Sequence, residues 1–276
     1  DIAGKVMDQP LHKIIGGAHR TKVAVYGYGM MLKRESVEDH VARFKDEAAA
    51  IIAMGFKAAK MKTGLGPKND VKLCEAVAQG VGSAPFMVDA NHCYTTPDAF
   101  YVGRALDEME AYWFEEPVAP EDHDGYRELR AGLRTNISGG ETEFNRWGWR
   151  QILENRGLDI AQPEVCAVGG VSEYLRIQTL CHAHFTPVIN HVWGSAIAIA
   201  TNLQLLAAMP TMPGGLHPWE PMLEFDTTDN KFRDELLEEP LDIQGQIQLQ
   251  DGYIAIPDAP GIGVTPNLDF IARYEV

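Results

Sequence analysis

The sequence predicts an α/β barrel, and three observations carry that expectation. The chain has 276 residues, enough for one such barrel, which takes about 250. Short apolar runs ending in polar residues alternate with longer amphipathic stretches, the pattern of repeated βα units around a parallel sheet. The runs are Lys22–Tyr28, Ala58–Thr63, Phe86–Asn91, Tyr112–Pro117, Asn136–Glu141, Asp159–Val165, Thr186–His191 and Gly215–Glu220. Eight strands in this rhythm suggest a closed barrel rather than an open sheet.

The linking segments carry helix signals. Ser36 is placed to cap a helix running to Met54, with Glu38 and Asp39 in its first turn and Gly55 as its stop. Thr96 and Pro97 open another helix. Asn202–Ala208 continues an alanine-rich helix that Pro210 ends. Past Glu220 the pattern changes. Gln244–Ile256 alternates, with turn signals at Gly245 and Asp251-Gly252, and reads as a hairpin. Pro257–Gly263 reads as a loop and Leu268–Tyr274 as a short closing helix. Asp1–Gly17 reads as a helix with a Gly-Gly stop and no strand before it, the tail of an upstream domain. The expected division is 1–20 for that tail and linker, 21–240 for the barrel and 241–276 for the hairpin and closing segment.

Composition narrows the function classes. The chain is 45% hydrophobic and 23% charged, an ordinary globular balance. No apolar run reaches the ~18 residues of a membrane span. A net charge of -15 argues against nucleic-acid partners, which need clustered Lys and Arg. The four cysteines, Cys74, Cys93, Cys166 and Cys181, form no Cys-x-x-Cys pair, which fits a reducing cytoplasm. Cys181, His182 and His184 read as a helix end rather than a zinc site.

The chemistry gathers at strand ends, where barrels of this kind place their sites. Asp89, Glu115 (with Glu116) and Glu141 end successive strands. Glu115 follows Asp89 by 26 residues and Glu141 follows Glu115 by 26, one βα unit per step. The three carboxylates can therefore converge, and they repel unless a cation neutralises them. Oxygen ligands without His or Cys favour Mg²⁺, with Mn²⁺ as substitute. Lys60 and Lys62 share one face of their strand. Alone they read as solvated lysines. Beside the triad they read as a pair in which one amine is driven neutral and acts as a base. Glu164 ends another strand near His191, and a carboxylate beside an imidazole makes an acid/base pair. Glu220 closes the ring as a hydrogen-bond donor when protonated. Asn91, His92 and Trp193 are candidates to touch substrate. Trp193 and Trp219 fit plain loop packing equally well.

These residues resemble the mandelate racemase subgroup of the enolase superfamily. Ala59-Lys60-Met61-Lys62-Thr63-Gly64 resembles its Lys-x-Lys strand. Val88-Asp89-Ala90-Asn91, Trp113-Phe114-Glu115-Glu116-Pro117 and Gly139-Gly140-Glu141 resemble its metal strands. Gln162-Pro163-Glu164 with Val168-Gly169-Gly170 resembles the dyad-acid strand, and Ile189-Asn190-His191 the histidine strand. The likeness covers essentially the whole chain, through Pro260-Gly261-Ile262-Gly263. It implies a TIM-like (β/α)7β barrel with an N-terminal α+β capping domain largely absent from this chain, the opening residues being its tail. It implies a homo-oligomer with Asp89, Glu115 and Glu141 on Mg²⁺. Lys62 is then one acid/base, with Lys60 acting on the substrate carboxylate. His191 with Glu164 is the other, and Glu220 is the electrophilic helper. Glu164 departs from the subgroup's usual Asp. The implied reaction removes the proton α to a carboxylate through a metal-stabilised enediolate. The His191–Gly194 and Glu220–Asp226 stretches resemble those of acid-sugar dehydratases and cycloisomerases, which makes an acid sugar or its lactone the expected substrate. The alternatives are a racemase or epimerase of a 2-hydroxy acid, and a barrel that binds metal and sugar acid without turnover.

Overall fold

The computed structural model describes residues 1–212, 219–239, 249 and 251–274. The chain divides into two compact units, one contiguous (Tyr26–His191) and one made from both ends (Asp1–Val25 with Val192–Val276).

The contiguous unit is a succession of βα repeats. It holds the second half of β1 (Lys22–Tyr28), then α3 (Val37–Ala53), β2 (Ala58–Lys62), α4 (Pro67–Val81), β3 (Phe86–Asp89) and α5 (Thr96–Glu108). It continues with β4 (Trp113–Glu115), α6 (His123–Gly132), β5 (Asn136–Gly139), α7 (Asn145–Glu154), β6 (Ile160–Ala161) and α8 (Val171–Ala183). The strands pair in parallel in sequence order from β1 to β6. In register, Lys62 faces Asp89 and Asp89 faces Glu115, so the tips of β2, β3 and β4 stand level. Met61, Val88, Phe114 and Ile137 are buried in the sheet, and Leu73, Val102, Leu129 and Ile152 are buried on the helices.

The strands are shorter than the apolar runs suggest. The ladder stops where the backbone turns left-handed, at Asn91 (φ 40°), His92 (φ 66°), Glu116 (φ 44°) and Gly140 (φ 107°). Asp89 and Glu115 are the last residues of their strands, and Glu141 lies just past β5. Proline shortens the later runs, because it has no N–H for a ladder. The Asp159–Val165 run, which contains Pro163, keeps two paired residues. The Thr186–His191 run, which contains Pro187, keeps one parallel bridge, Val188 to Ala161.

Helix starts follow local chemistry. Ser36 Oγ accepts from Asp39 N at 3.1 Å, and α3 buries His40, Phe44, Ala48 and Ile51 along one stripe. The α5 cap is Thr95 rather than Thr96, because Thr95 Oγ1 is the one that accepts from Asp98 N.

In the other unit, the expected opening helix is two short ones, α1 (Ile2–Met7) and α2 (Leu11–Ile14), with Pro10 between them. Gly261 binds this break, accepting from Leu11 N at 2.7 Å and donating to Gln9 O at 3.0 Å. Gly4 is required there, since a Cβ would sit 2.7 Å from Gly261 Cα. Ser195 caps α9 (Ala196–Ala208). Then come β7 (Met222–Asp226), α10 (Lys231–Asp234), β8 (Tyr253–Ala255) and α11 (Leu268–Ala272).

The expected strand Gly215–Glu220 falls largely outside the described residues. Residues 215–218 lie outside the described residues, Trp219 makes one antiparallel bridge to Met212, and the regular strand is β7 further on. The first arm of the Gln244–Ile256 hairpin lies largely outside the described residues. Its second arm gives β8, antiparallel to the start of β1. Among the described residues no helix is long and apolar enough to cross a membrane, and Cys74, Cys93, Cys166 and Cys181 are all free thiols.

Ser36→Ala leaves the Asp39 amide without its cap. Urea unfolding should record a loss of about 1 kcal/mol, with an unchanged denaturant slope.

Candidate active site

The tips of β3 and β4 and the turn after β5 bring three carboxylates together. One oxygen from each of Asp89, Glu115 and Glu141 lies within 4.8 Å of the others. Asp89 and Glu115 are buried. The donor set is all carboxylate oxygen, which suits a hard divalent cation of the Mg²⁺ or Mn²⁺ kind.

β2 brings both lysines to this cluster. Lys60, which is 1% exposed, reaches Glu115 Oε1 at 2.6 Å and lies 3.5 Å from Asp89 Oδ2. Lys62 also bonds Asp89 Oδ2. The two lysines share Asp89, whose carboxylate offsets part of their mutual repulsion. Burial works to raise the Asp89 carboxyl, but the two ammoniums outweigh it and hold the group below the usual carboxylate range.

His191 stands at the far end of the cluster. Its Nε2 lies 3.1 Å from Glu141 Oε2 and its Nδ1 2.9 Å from Glu164 Oε2. The longer side chain of Glu164 reaches the ring because its other oxygen accepts from Cys166 N at 2.9 Å. Glu141 is displaced in the opposite direction from Asp89. Burial pushes its carboxyl up, and the imidazole beside it offsets this only in part.

The other residues expected at the site take varied positions. Asn91 N donates to Asp89 Oδ1 at 3.0 Å, while its side chain is exposed. His92 turns to Glu116, with Nδ1 2.7 Å from Oε2, and that carboxylate raises its pKa. Glu116 is not part of the cluster. It accepts from Gly140 N at 2.6 Å and Tyr126 Oη at 3.1 Å, as expected for consecutive side chains that leave a strand on opposite sides. Trp193 belongs to the unit made from both chain ends and is 64% exposed.

Glu220 belongs to the unit made from both chain ends. It lies ahead of β7 and accepts from Tyr253 Oη at 2.9 Å in an exposed bond. The buried carboxylate within the strand is Glu224, which accepts from Val192 N at 2.8 Å. The alternation of Met222-Leu223-Glu224-Phe225-Asp226 is the sequence signal for it. Trp113 and Gln162, which both donate to Glu115 Oε2, are two further site residues that the sequence pattern alone does not single out. Gln162 and Glu164 are two residues apart, and that spacing is the available clue.

Parallel βα repeats whose tips gather three acids between two lysines and a histidine–carboxylate pair define an α/β-barrel chain with a carboxylate cluster fit for a divalent cation. Residues 43–270 match the family described as enolase C-terminal domain-like. The chain belongs to the enolase superfamily, in its mandelate racemase subgroup, and its fold is of the TIM-like barrel class. It is 39% identical over 277 aligned positions to the D-galactarolactone cycloisomerase of Agrobacterium fabrum, covering 100% of this chain and 71% of that one. It is 31% identical to the arabinonate dehydratase of Saccharolobus solfataricus, covering 100% and 69%. The crystal structure of the 3,6-anhydro-D-galactonate cycloisomerase from Zobellia galactanivorans superposes with a TM-score of 0.87 at 34% identity, covering 99% and 72%. The relatives are enzymes of lyase or isomerase type.

The raised Glu141 carboxyl fixes the sign of a pH effect. A folded-state pKa above the unfolded value costs the metal-free chain stability as pH rises through the interval between them. Glu141→Gln removes that cost. Its melting temperature in chelator should match or exceed wild type at about pH 8 and lose that advantage near about pH 4. Added Mg²⁺ should raise the melting temperature of wild type only. A metal-free variant that melts well below wild type at the higher pH would contradict this account.

Proposed function

We propose that the chain is a Mg²⁺-dependent enzyme that removes the proton α to a carboxylate, acting on an acid sugar or its lactone as a cycloisomerase or dehydratase. One observation carries the reading. The carboxylate triad is flanked at one end by Lys62 on Asp89 and at the other by His191 on Glu141. Two groups able to move protons, at opposite ends of one cluster, suit a reaction that takes a proton at one position and delivers one at another.

Asp89, Glu115 and Glu141 would hold the cation, which when bound supplies positive charge against the negative charge developing on the substrate carboxylate. With a cation on the carboxylates offsetting their charge, Lys62 can give up its proton to solvent and, as the neutral amine, take the α-proton. Lys60, buried and tied to Glu115, serves as fixed positive charge for the substrate carboxylate. Glu164 accepts from His191 Nδ1, which fixes the tautomer and leaves Nε2 to give or take a proton. Protonation of a departing ring oxygen gives a cycloisomerase, and protonation of a β-hydroxyl that leaves as water gives a dehydratase. The relatives at 39% and 34% identity, both named cycloisomerases, favour the first. The all-thiol cysteines favour a cytoplasmic setting. The subgroup likeness favours a homo-oligomer.

The test is NMR in D₂O with Mg²⁺ across aldonic and aldaric acids and their lactones. Deuterium should enter an α-position, or a ring-opened or 2-keto acid product should form. Lys62→Met and His191→Asn should each lower the rate by about 10²–10⁴-fold. Silence across the panel while Mg²⁺ still binds would leave a barrel that binds metal and sugar acid without turnover.

A further inference from the structure

Two of the three clustered carboxylates are held in one manner. Each has one oxygen committed to uncharged donors and the other turned to an ammonium. Asp89 Oδ1 accepts from Asn91 N at 3.0 Å, while Oδ2 faces Lys62 and, at 3.5 Å, Lys60. Glu115 Oε2 accepts from Trp113 Nε1 at 2.9 Å and Gln162 Nε2 at 2.8 Å, while Oε1 takes Lys60 Nζ at 2.6 Å. Lys60 thus marks the oxygen of each carboxylate that is open to a cation.

The holders of Glu115 Oε2 are side chains rather than backbone, and both are buried. An indole nitrogen can only donate. The Gln162 amide leaves its Oε1 buried with no hydrogen-bond partner among the described residues. A buried acceptor left unmatched is unfavourable, so the position retains glutamine for its N–H half. Ligation through both Glu115 oxygens would break two buried hydrogen bonds at once.

We propose that Trp113 and Gln162 are positioning residues that set the choice of cation, confining Glu115 to ligation through Oε1 and so favouring Mg²⁺ over Ca²⁺. Mg²⁺ holds a small, near-octahedral shell. Ca²⁺ takes six to eight oxygens and readily uses a carboxylate through both. The inference rests on the metal-centre reading above and adds to it a reason for selectivity that lies outside the ligands.

The experiment is titration calorimetry of wild type, Gln162→Met and Trp113→Phe with Mg²⁺ and with Ca²⁺, beside thermal melts in chelator. Met keeps the volume of Gln without its N–H, and Phe keeps an aromatic ring without its N–H. Wild type should bind Mg²⁺ more tightly than Ca²⁺. The Ca²⁺ to Mg²⁺ affinity ratio should rise about tenfold in each folded variant, the scale of losing a ligand's outer partner. A merely structural role would weaken both cations together, and an unchanged ratio in a folded variant overturns the proposal. Should Gln162→Met not fold, Trp113→Phe carries the comparison. Equal affinities in wild type overturn it without any variant. Binding of neither cation removes the metal reading itself and this inference with it, an outcome distinct from metal binding with an unmoved ratio.

Discussion

Mutual repulsion among buried carboxylates is the constraint around which the second half of every neighbouring strand is arranged. Asp89, Glu115 and Glu141 present oxygens within 4.8 Å of one another, a spacing at which like charges in a poorly solvated site are strongly unfavourable. The chain answers with two ammoniums on the β2 side and an imidazole at the other end. The compensation is uneven. Asp89 meets both ammoniums and is held below the usual carboxylate range, whereas Glu141 meets a single imidazole and is pushed up. The cluster's charge is therefore least compensated at the His191 end.

The histidine–glutamate pair is built around the length of the Glu164 side chain. An extra methylene lengthens the reach of Glu164 relative to Asp. The chain takes up that length by fixing one oxygen on the Cys166 amide, leaving the other 2.9 Å from His191. The imidazole is oriented by a carboxylate whose other oxygen is held by the Cys166 backbone amide.

Much of this is legible in the sequence alone. The triad can be read from its 26-residue spacing, because one βα unit separates successive strand tips and the parallel ladder then sets the tips level. Ser36 is legible as a cap because capping is local chemistry. Strand ends are not, because the left-handed turns at Asn91, His92 and Glu116 are set by tertiary packing rather than by residue type. Next to Glu220, the regular strand β7 begins at Met222 and its alternation places Glu224 inside it. The service of Gln162 to Glu115 is invisible in the sequence because it joins β4 to the residue just past β6, and that of Trp113, two places before Glu115 in β4, is visible only as a shared strand face. Pattern reveals which face a residue takes, and only the packed structure reveals whom it meets there.

The division of the chain bears on how the molecule comes to exist. Every residue that surrounds the carboxylate cluster in the contiguous unit, from Lys60 to His191, lies in one uninterrupted stretch of chain. Its strands pair with their immediate sequence neighbours, so loop-closure costs are small. During synthesis this unit can pair β2 through β6 and shape its cluster before Val192 is made, while β7 and β8 of the same sheet come later. The other unit draws on both flanking segments and must wait for the later one. The ribosome thus delivers the carboxylate cluster first and the last strands of the sheet afterwards.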